Sequence, residues 1–130
     1  MNKPTFSSPY ISFEIKDDIL YVTYLPGGAI DLEIAKEIVK SRLEYTESKP
    51  YPILVIDNGV VSMNKEARDY SSDKDGGLKG ALAGAVLSKS VYSEFLGNFF
   101  LRITKPEIPA KVFTDKAKAL EWLEQFKPKV

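Results

Sequence analysis

The side chains that could do chemistry in this 130-residue chain are carboxylates, lysines, tyrosines and hydroxyls, because the sequence contains no His and no Cys. The missing His removes the commonest general base and the commonest transition-metal ligand. The missing Cys removes thiolate nucleophiles, Cys-ligated metals and disulfides. Any catalysis would have to use Asp, Glu, Lys or Tyr, or a bound cofactor. The composition therefore predicts a protein that is not an enzyme, with no cofactor and no metal.

One group of polar residues follows a buried stretch of chain. Asp57 ends a continuous apolar run, and Asn58, Ser62 and Asn64 come shortly after it. Loops at the ends of buried strands often carry binding residues. These four residues therefore form a candidate strand-end site. The alternative interpretation is structural, with Asp57 as a turn or cap residue.

Glycines invite a phosphate-binding interpretation in two places. Gly76, Gly77 and Gly80 lie close together, but they fit neither the Gly-x-x-x-x-Gly-Lys-Ser/Thr pattern nor Gly-x-Gly-x-x-Gly opening a helix. They predict a loop before a strand. Residues 26–28 lie at a strand-to-helix junction whose N–H groups could meet an anion, although the pattern favours a plain turn.

An aromatic stripe is the most distinctive feature of the sequence. Tyr92, Phe95, Phe99 and Phe100 recur at helical spacing within residues 91–103. They could pack in the core against the Ala- and Gly-rich stretch 79–87. Alternatively, the flank with Tyr92 and Phe100 could line an apolar pocket or a partner surface, since exposed aromatic patches mark such sites.

The first elements that position these residues are an arm and a hairpin. Residues 1–9 are expected to be a flexible N-terminal arm, and residues 10–127 a single domain. Alternating residues predict strands at 10–15 and 19–25, joined by a tight turn at Lys16-Asp17-Asp18. The two strands are expected to pair as a hairpin.

Helices and strands alternate after the hairpin. Asp31 is expected to cap an amphipathic helix whose apolar face includes Ala35, Ile38, Val39 and Arg42. The acidic and basic residues of that helix, Arg42 among them, could also form solvent-facing ion pairs worth about 0.3 kcal/mol each. The later strands are predicted at 53–57, which is covered on both faces, at 79–87 and at 108–113. The later helices are predicted from Asn64 to Tyr70, at 91–103, and after Thr114 or Asp115, either of which could cap the last one. In that final helix, Ala117, Leu120 and Leu123 are expected to face inward.

The predicted fold is thus an α/β domain with a mixed sheet of about five strands and about four helices. The net charge favours no class of charged partner, since 18 Lys and Arg balance 18 Asp and Glu. This balance argues against nucleic acid as a partner. No run approaches the roughly 18 apolar residues of a membrane span, and none matches a signal peptide. We therefore expect no integral membrane association and a cytoplasmic location.

The element order from Tyr10 to Phe126 resembles the anti-sigma-factor antagonist (STAS) superfamily, especially small bacterial proteins of unknown function with that fold. The C-terminal third carries most of the likeness, with Phe113-Thr114-Asp115 followed by Ala119-Leu120-Glu121-Trp122-Leu123. The resemblance implies a STAS-like sheet and a regulatory role exercised through a protein partner. The same fold has also been compared with CRAL-TRIO lipid-binding domains.

The family's phosphorylation switch does not carry over to this chain. Anti-sigma-factor antagonists carry Asp-Ser-Ser-Gly, or a close variant, where the loop after the third strand enters a helix, and a kinase phosphorylates a Ser there. Here Lys65 and Glu66 occupy the expected serine positions, Asn64 could match the preceding acid, and Ser62 is out of register. The sequence therefore lacks a phosphorylatable serine at the expected place.

A second resemblance, to receiver domains, rests on Asp57 with Asp17, Asp18 and the pair Lys105-Pro106. Receivers accept phosphate on a strand-end Asp beside an acidic pair and a Lys-Pro. The order differs here, because the acidic pair lies in a hairpin turn and Lys105 follows a predicted helix. We therefore expect Asp57 to have no phosphoacceptor role.

Two functions lead on the sequence, and an enzyme that uses Asp, Glu or Lys chemistry ranks third. The leading interpretation is a regulatory or protein-interaction domain whose partner is another protein or a second copy of the chain. The alternative is a carrier or sensor of a small apolar ligand or lipid, held beneath the predicted helix 91–103.

Overall fold

The computed structural model describes residues 4–25, 29–57, 62–71, 73, 75–87 and 108–128. Within these ranges lie a six-stranded sheet, a separate two-stranded sheet and three helices. The strands are β1 (Phe6–Ser7), β2 (Ile11–Lys16), β3 (Ile19–Tyr24), β4 (Ala29–Ile30), β5 (Tyr51–Asp57), β6 (Ser62–Met63), β7 (Ala81–Leu87) and β8 (Ala110–Phe113), and the helices are α1 (Leu32–Tyr45), α2 (Lys65–Ser71) and α3 (Lys116–Glu124).

The predicted hairpin is confirmed. β2 and β3 pair antiparallel, with Ile15 opposite Leu20. Asp17 and Asp18 make the turn with φ of 50° and 62°. Two successive left-handed residues match the twist of a tight hairpin, and Asp tolerates this conformation better than most residues.

A short edge strand extends the sheet beyond the hairpin. β1 pairs antiparallel with β2 and places Phe6 opposite Phe13. The two rings stack with centroids 5.4 Å apart, and the Tyr45 ring lies 5.7 Å from that of Phe13. This strand falls within the segment expected to be a flexible arm. It brings the main sheet to six strands, where the sequence predicted about five.

The rest of the sheet is parallel, in the order β1-β2-β3-β5-β7-β8. A first apolar core, containing Phe13, Val22 and Ile38, joins the sheet to α1 and α2. A second core on the opposite face contains Leu54 and Leu123 and lies beneath α3. The mixed α/β fold predicted from the sequence is therefore confirmed.

Strand β5 is buried on both faces, as its unbroken apolar run predicts. It lies between β3 and β7, with Ile53 in the first core and Leu54 in the second. A strand covered on both sides has no solvent-facing positions and needs no polar alternation.

The C-terminal helix corrects one prediction. The Asp115 carboxylate accepts a hydrogen bond from the Lys118 backbone N at 3.2 Å, so Asp115 is the cap of α3. Ala117 was expected to face inward, but it is exposed, while Ala119 and Leu123 are fully buried. The contact stripe therefore follows the i, i+4 row from Ala119.

The described helices include none with the length and apolar character needed to cross a membrane. The fourth predicted helix, at 91–103, lies outside the described residues.

Candidate functional site

The strand-end residues lie at the carboxyl edge of the parallel strands. β3 and β5 end in register, with Tyr24 paired with Asp57. The chain that follows each strand forms β4 or β6, and these pair in parallel through Ala29 with Ser62 and Ile30 with Met63. Two connections are thereby brought side by side where open α/β sheets most often bind ligands.

Two helices begin at this carboxyl edge. The Asp31 carboxylate accepts a hydrogen bond from the Ile34 backbone N at 2.8 Å, which caps α1. The Asn64 side-chain oxygen accepts one from the Ala67 backbone N at 2.9 Å, which caps α2. The Asn64 backbone N also donates to the Ile30 carbonyl at 3.2 Å. Both capping predictions are confirmed, and the second cap is tied directly to β4.

Charged side chains surround these helix starts. Lys65 and Asp69 form an exposed ion pair of 2.8 Å one turn apart on α2. Glu33 in the first turn of α1 and Glu66 in the first turn of α2 are both exposed. The edge therefore offers carboxylates of both helices to solvent.

Of the four predicted strand-end residues, Asp57, Ser62 and Asn64 lie on the backbone at this edge, and Asn58 lies outside the described residues. The acidic pair Asp17 and Asp18 is at the opposite end of β3. Six residues of strand separate the two ends by about 20 Å. The pair therefore does not join Asp57 in a receiver-like cluster, and Lys105 is outside the described residues.

Gly76 and Gly77 lie against the end of α2 and form no phosphate cradle. The Gly77 backbone N donates to the Tyr70 carbonyl at 2.9 Å. A Cβ at Gly77 would collide with the Ser71 carbonyl, and one at Gly76 would lie 2.5 Å from the Tyr70 carbonyl oxygen. Glycine is required here because two backbone segments come into direct contact. The predicted loop is confirmed.

A cavity of about 60 Å³ lies between α1 and the sheet. Most of its lining is apolar and comes from β3, β5 and the buried face of α1. Among the described lining residues, three have polar side chains: Tyr24, Arg42 and Ser71. No pattern in the sequence predicts this cavity.

Arg42 is the unusual member of this lining. Its side chain is only 5% exposed, and its Nη2 donates to the Gly77 carbonyl at 3.1 Å. Burial lowers the pKa of Arg42, an effect that nearby Tyr24 and Tyr70 partly offset. Two roles are predicted for Arg42: a position on the apolar face of α1 and a solvent-facing ion pair. The structure shows the first and not the second. The sequence signal for this site is a charged residue on the apolar face, four positions after Ile38 and three after Val39.

The aromatic candidates Tyr92, Phe95, Phe99 and Phe100 lie outside the described residues. Within the described part of the chain, no group of three or more acidic residues is placed to hold a metal ion.

Comparison with known proteins identifies the family. The model of the DUF7793 family, described as a domain of unknown function, matches residues 13–127. The chain therefore belongs to the DUF7793 family. A search of curated proteins finds no match.

A solved structure confirms the fold. The chain is similar to an uncharacterised protein of the DUF3478 family from Shewanella loihica PV-4, described as having a SpoIIAA-like fold. The two are 19% identical, the likeness covers 91% of this chain and 98% of the other, and the TM-score is 0.54. The STAS-like α/β fold expected from the resemblance is thus confirmed.

Proposed function

We propose that this DUF7793 domain is a non-enzymatic regulatory module that binds a protein partner at the carboxyl edge of its sheet. The observation that carries the proposal is the pairing of β4 with β6, which brings the starts of α1 and α2 together at that edge. Two connections fixed against each other by backbone hydrogen bonds offer a preorganised surface, which lowers the entropy cost of binding.

The proposal of a non-enzymatic role is supported by the polar side chains on which catalysis would depend, because they have structural roles. Asp31, Asn64 and Asp115 bind backbone N–H groups as helix caps. Asp17 and Asp18 form the hairpin turn. Carboxylates and amides used in this way hold the backbone and are not arranged for acid–base chemistry.

Partner choice in this proposal depends on charge and not on phosphorylation. Lys65 and Glu66 occupy the first turn of α2, where the resemblance to STAS proteins would place a serine. With Glu33 exposed on α1, the edge would favour a partner with a basic patch, because complementary charges guide association. A second copy of the chain is included among the candidate partners. The proposal also places the protein in the bacterial cytoplasm.

A pull-down with charge-reversed baits tests the proposal. The test bait carries Glu33→Lys and Glu66→Lys, and the matched control carries Glu121→Lys and Glu124→Lys, which change net charge equally on exposed positions of α3. We expect the wild type and the control to capture the same partner, cross-linked near Lys65, and the test bait to lose about tenfold or more of it. Equal capture by all three baits, or cross-links confined to α3, would refute the proposal.

A second candidate function, binding of a small ligand, is favoured by the cavity beneath α1. Its lining is mostly apolar but contains a buried Arg42. The other ligand site expected from the sequence, beneath residues 91–103, lies outside the described residues.

A further inference from the structure

The Arg42 guanidinium has a positive charge that its described surroundings do not balance. It offers five N–H donors, and one of them, on Nη2, reaches a protein acceptor, the Gly77 carbonyl. No carboxylate among the described side chains pairs with Arg42. A carbonyl dipole satisfies a donor but does not neutralise a charge, and buried charges are normally paired.

The neighbouring hydroxyls add no negative charge. Burial raises the pKa of Tyr24 to about 12, although the positive charge of Arg42 lowers it somewhat. The Tyr24 phenol is therefore uncharged at neutral pH, and Ser71 is uncharged as well. As far as the described residues go, the polar end of the cavity is thus positive, with hydroxyl groups beside the guanidinium.

The rest of the cavity is shaped for a short hydrocarbon chain. Val22, Ile38, Val39 and Ile53 are all among its lining residues and all less than a tenth exposed. A space of about 60 Å³ accommodates roughly four to six water-sized groups. An inorganic anion such as phosphate would leave oxygens against this apolar wall without hydrogen-bond partners, which is costly.

We propose that this cavity binds a short-chain monocarboxylate, with its carboxylate on the Arg42 guanidinium and its alkyl group against the aliphatic wall. A planar carboxylate matches the guanidinium fork and can accept two N–H bonds at once. Acetate, propionate and butyrate have four to six heavy atoms, which span the available volume. The proposal deepens the small-ligand function proposed above and names its ligand class.

Calorimetric titration of the full chain with sodium propionate at pH 7 tests the proposal, with sodium phosphate as the comparison anion. The key variant is Arg42→Met, which keeps the length of the side chain and removes the charge. The matched control is Lys36→Met, which removes one positive charge from an exposed position of the same helix. We expect saturable one-to-one binding of propionate to the wild type and the control, and weakening by about 10- to 150-fold in Arg42→Met.

A size variant keeps the test decisive if Arg42→Met fails to fold. Val39→Ile adds one methylene to the cavity wall while retaining the charge. It should weaken butyrate by about fivefold or more relative to acetate, because the longer chain loses its space. Absence of saturable propionate binding to the wild type, equal binding by the arginine variant, or a preference for phosphate would each overturn the proposal.

Failure of this proposal is distinguishable from failure of the interaction proposal. Partner capture depends on exposed charges at the carboxyl edge, whereas propionate binding depends on buried Arg42. If either partner capture or propionate binding is lost, the other can still be measured on the same purified chain.

Discussion

Replacing Gly77 with alanine should destabilise the protein severely. A Cβ at this position would overlap the Cα, carbonyl carbon and carbonyl oxygen of Ser71, the last residue of α2. Backbone atoms cannot rotate away as a side chain can, so the loop or the helix end must shift. That shift would also move the Gly77 carbonyl away from the Arg42 Nη2.

The cost follows from these two contacts. Forcing extra volume into a packed contact costs about 1–3 kcal/mol. Losing a hydrogen bond to a buried charged group costs about 1.5–3 kcal/mol. We therefore expect Gly77→Ala to lower the free energy of unfolding by about 3–5 kcal/mol, a large fraction of the total for a domain of this size.

Urea denaturation followed by circular dichroism measures this effect. With a slope near 2 kcal/mol per molar, the midpoint should fall by roughly 2 M. The matched control is Gly84→Ala on β7, where a new Cβ would meet no atom of the described residues within 4 Å. Glycine weakens a strand, so this control should be neutral or gain about 0.5–1 kcal/mol. A Gly77→Ala protein within about 1 kcal/mol of wild type would refute the close approach of this loop to α2.

Two further substitutions test local features of the fold. Asp115→Ala should cost about 1 kcal/mol through the lost cap of α3, and Thr114→Ala should cost much less, as judged by thermal unfolding of both. An equal loss from the two would contradict the assignment of the cap. Alkaline unfolding tests Tyr24, whose pKa is about 12 in the folded chain against 10.0 unperturbed. The folded state keeps the phenol proton to a higher pH than the unfolded state does. The free energy of unfolding is therefore retained below pH 10 and falls by roughly 2–3 kcal/mol between pH 10 and pH 12. Tyr24→Phe should remove that part of the fall. An unchanged profile would show that Tyr24 is not buried.

The sequence predicts the elements that have a strong local signal. The hairpin, α1 and its Asp31 cap, the doubly buried β5 and the strand character of β7 all follow from periodicity and capping chemistry. The sequence likewise indicates Asp115 and Asn64 as candidate caps, and both accept the expected hydrogen bonds. In each case the sequence signal itself, a periodicity or a cap, lies in residues a few positions apart.

Elements that are too short to carry a local pattern are not predictable in this way. β1, β4 and β6 have two residues each, too few to show any alternation. They exist because Phe6 meets Phe13 and because Ala29 meets Ser62 across more than thirty positions of sequence. The carboxyl edge formed by β4 and β6 therefore appears only once the sheet has been assembled.

The cavity is not predictable from the sequence either, because its polar contact is long-range. Arg42 occurs on an apolar helical face, which usually means a long side chain whose charged end reaches water. Here the Gly76–Gly77 loop packs against the end of α2, and the Gly77 carbonyl accepts a hydrogen bond from the guanidinium. The charge therefore stays buried. No residue near Arg42 in the sequence indicates that its hydrogen-bond partner, Gly77, lies 35 positions away.

Nuclear magnetic resonance of the Arg42 side chain gives the most direct test of the buried charge in the cavity. In 15N-labelled protein, an N–H signal of a guanidinium should exchange slowly with water, be absent from Arg42→Met, and shift saturably when propionate is added. Arginine signals that all exchange as fast as those of an exposed side chain, and do not respond to propionate, would contradict both the burial of Arg42 and its proposed ligand.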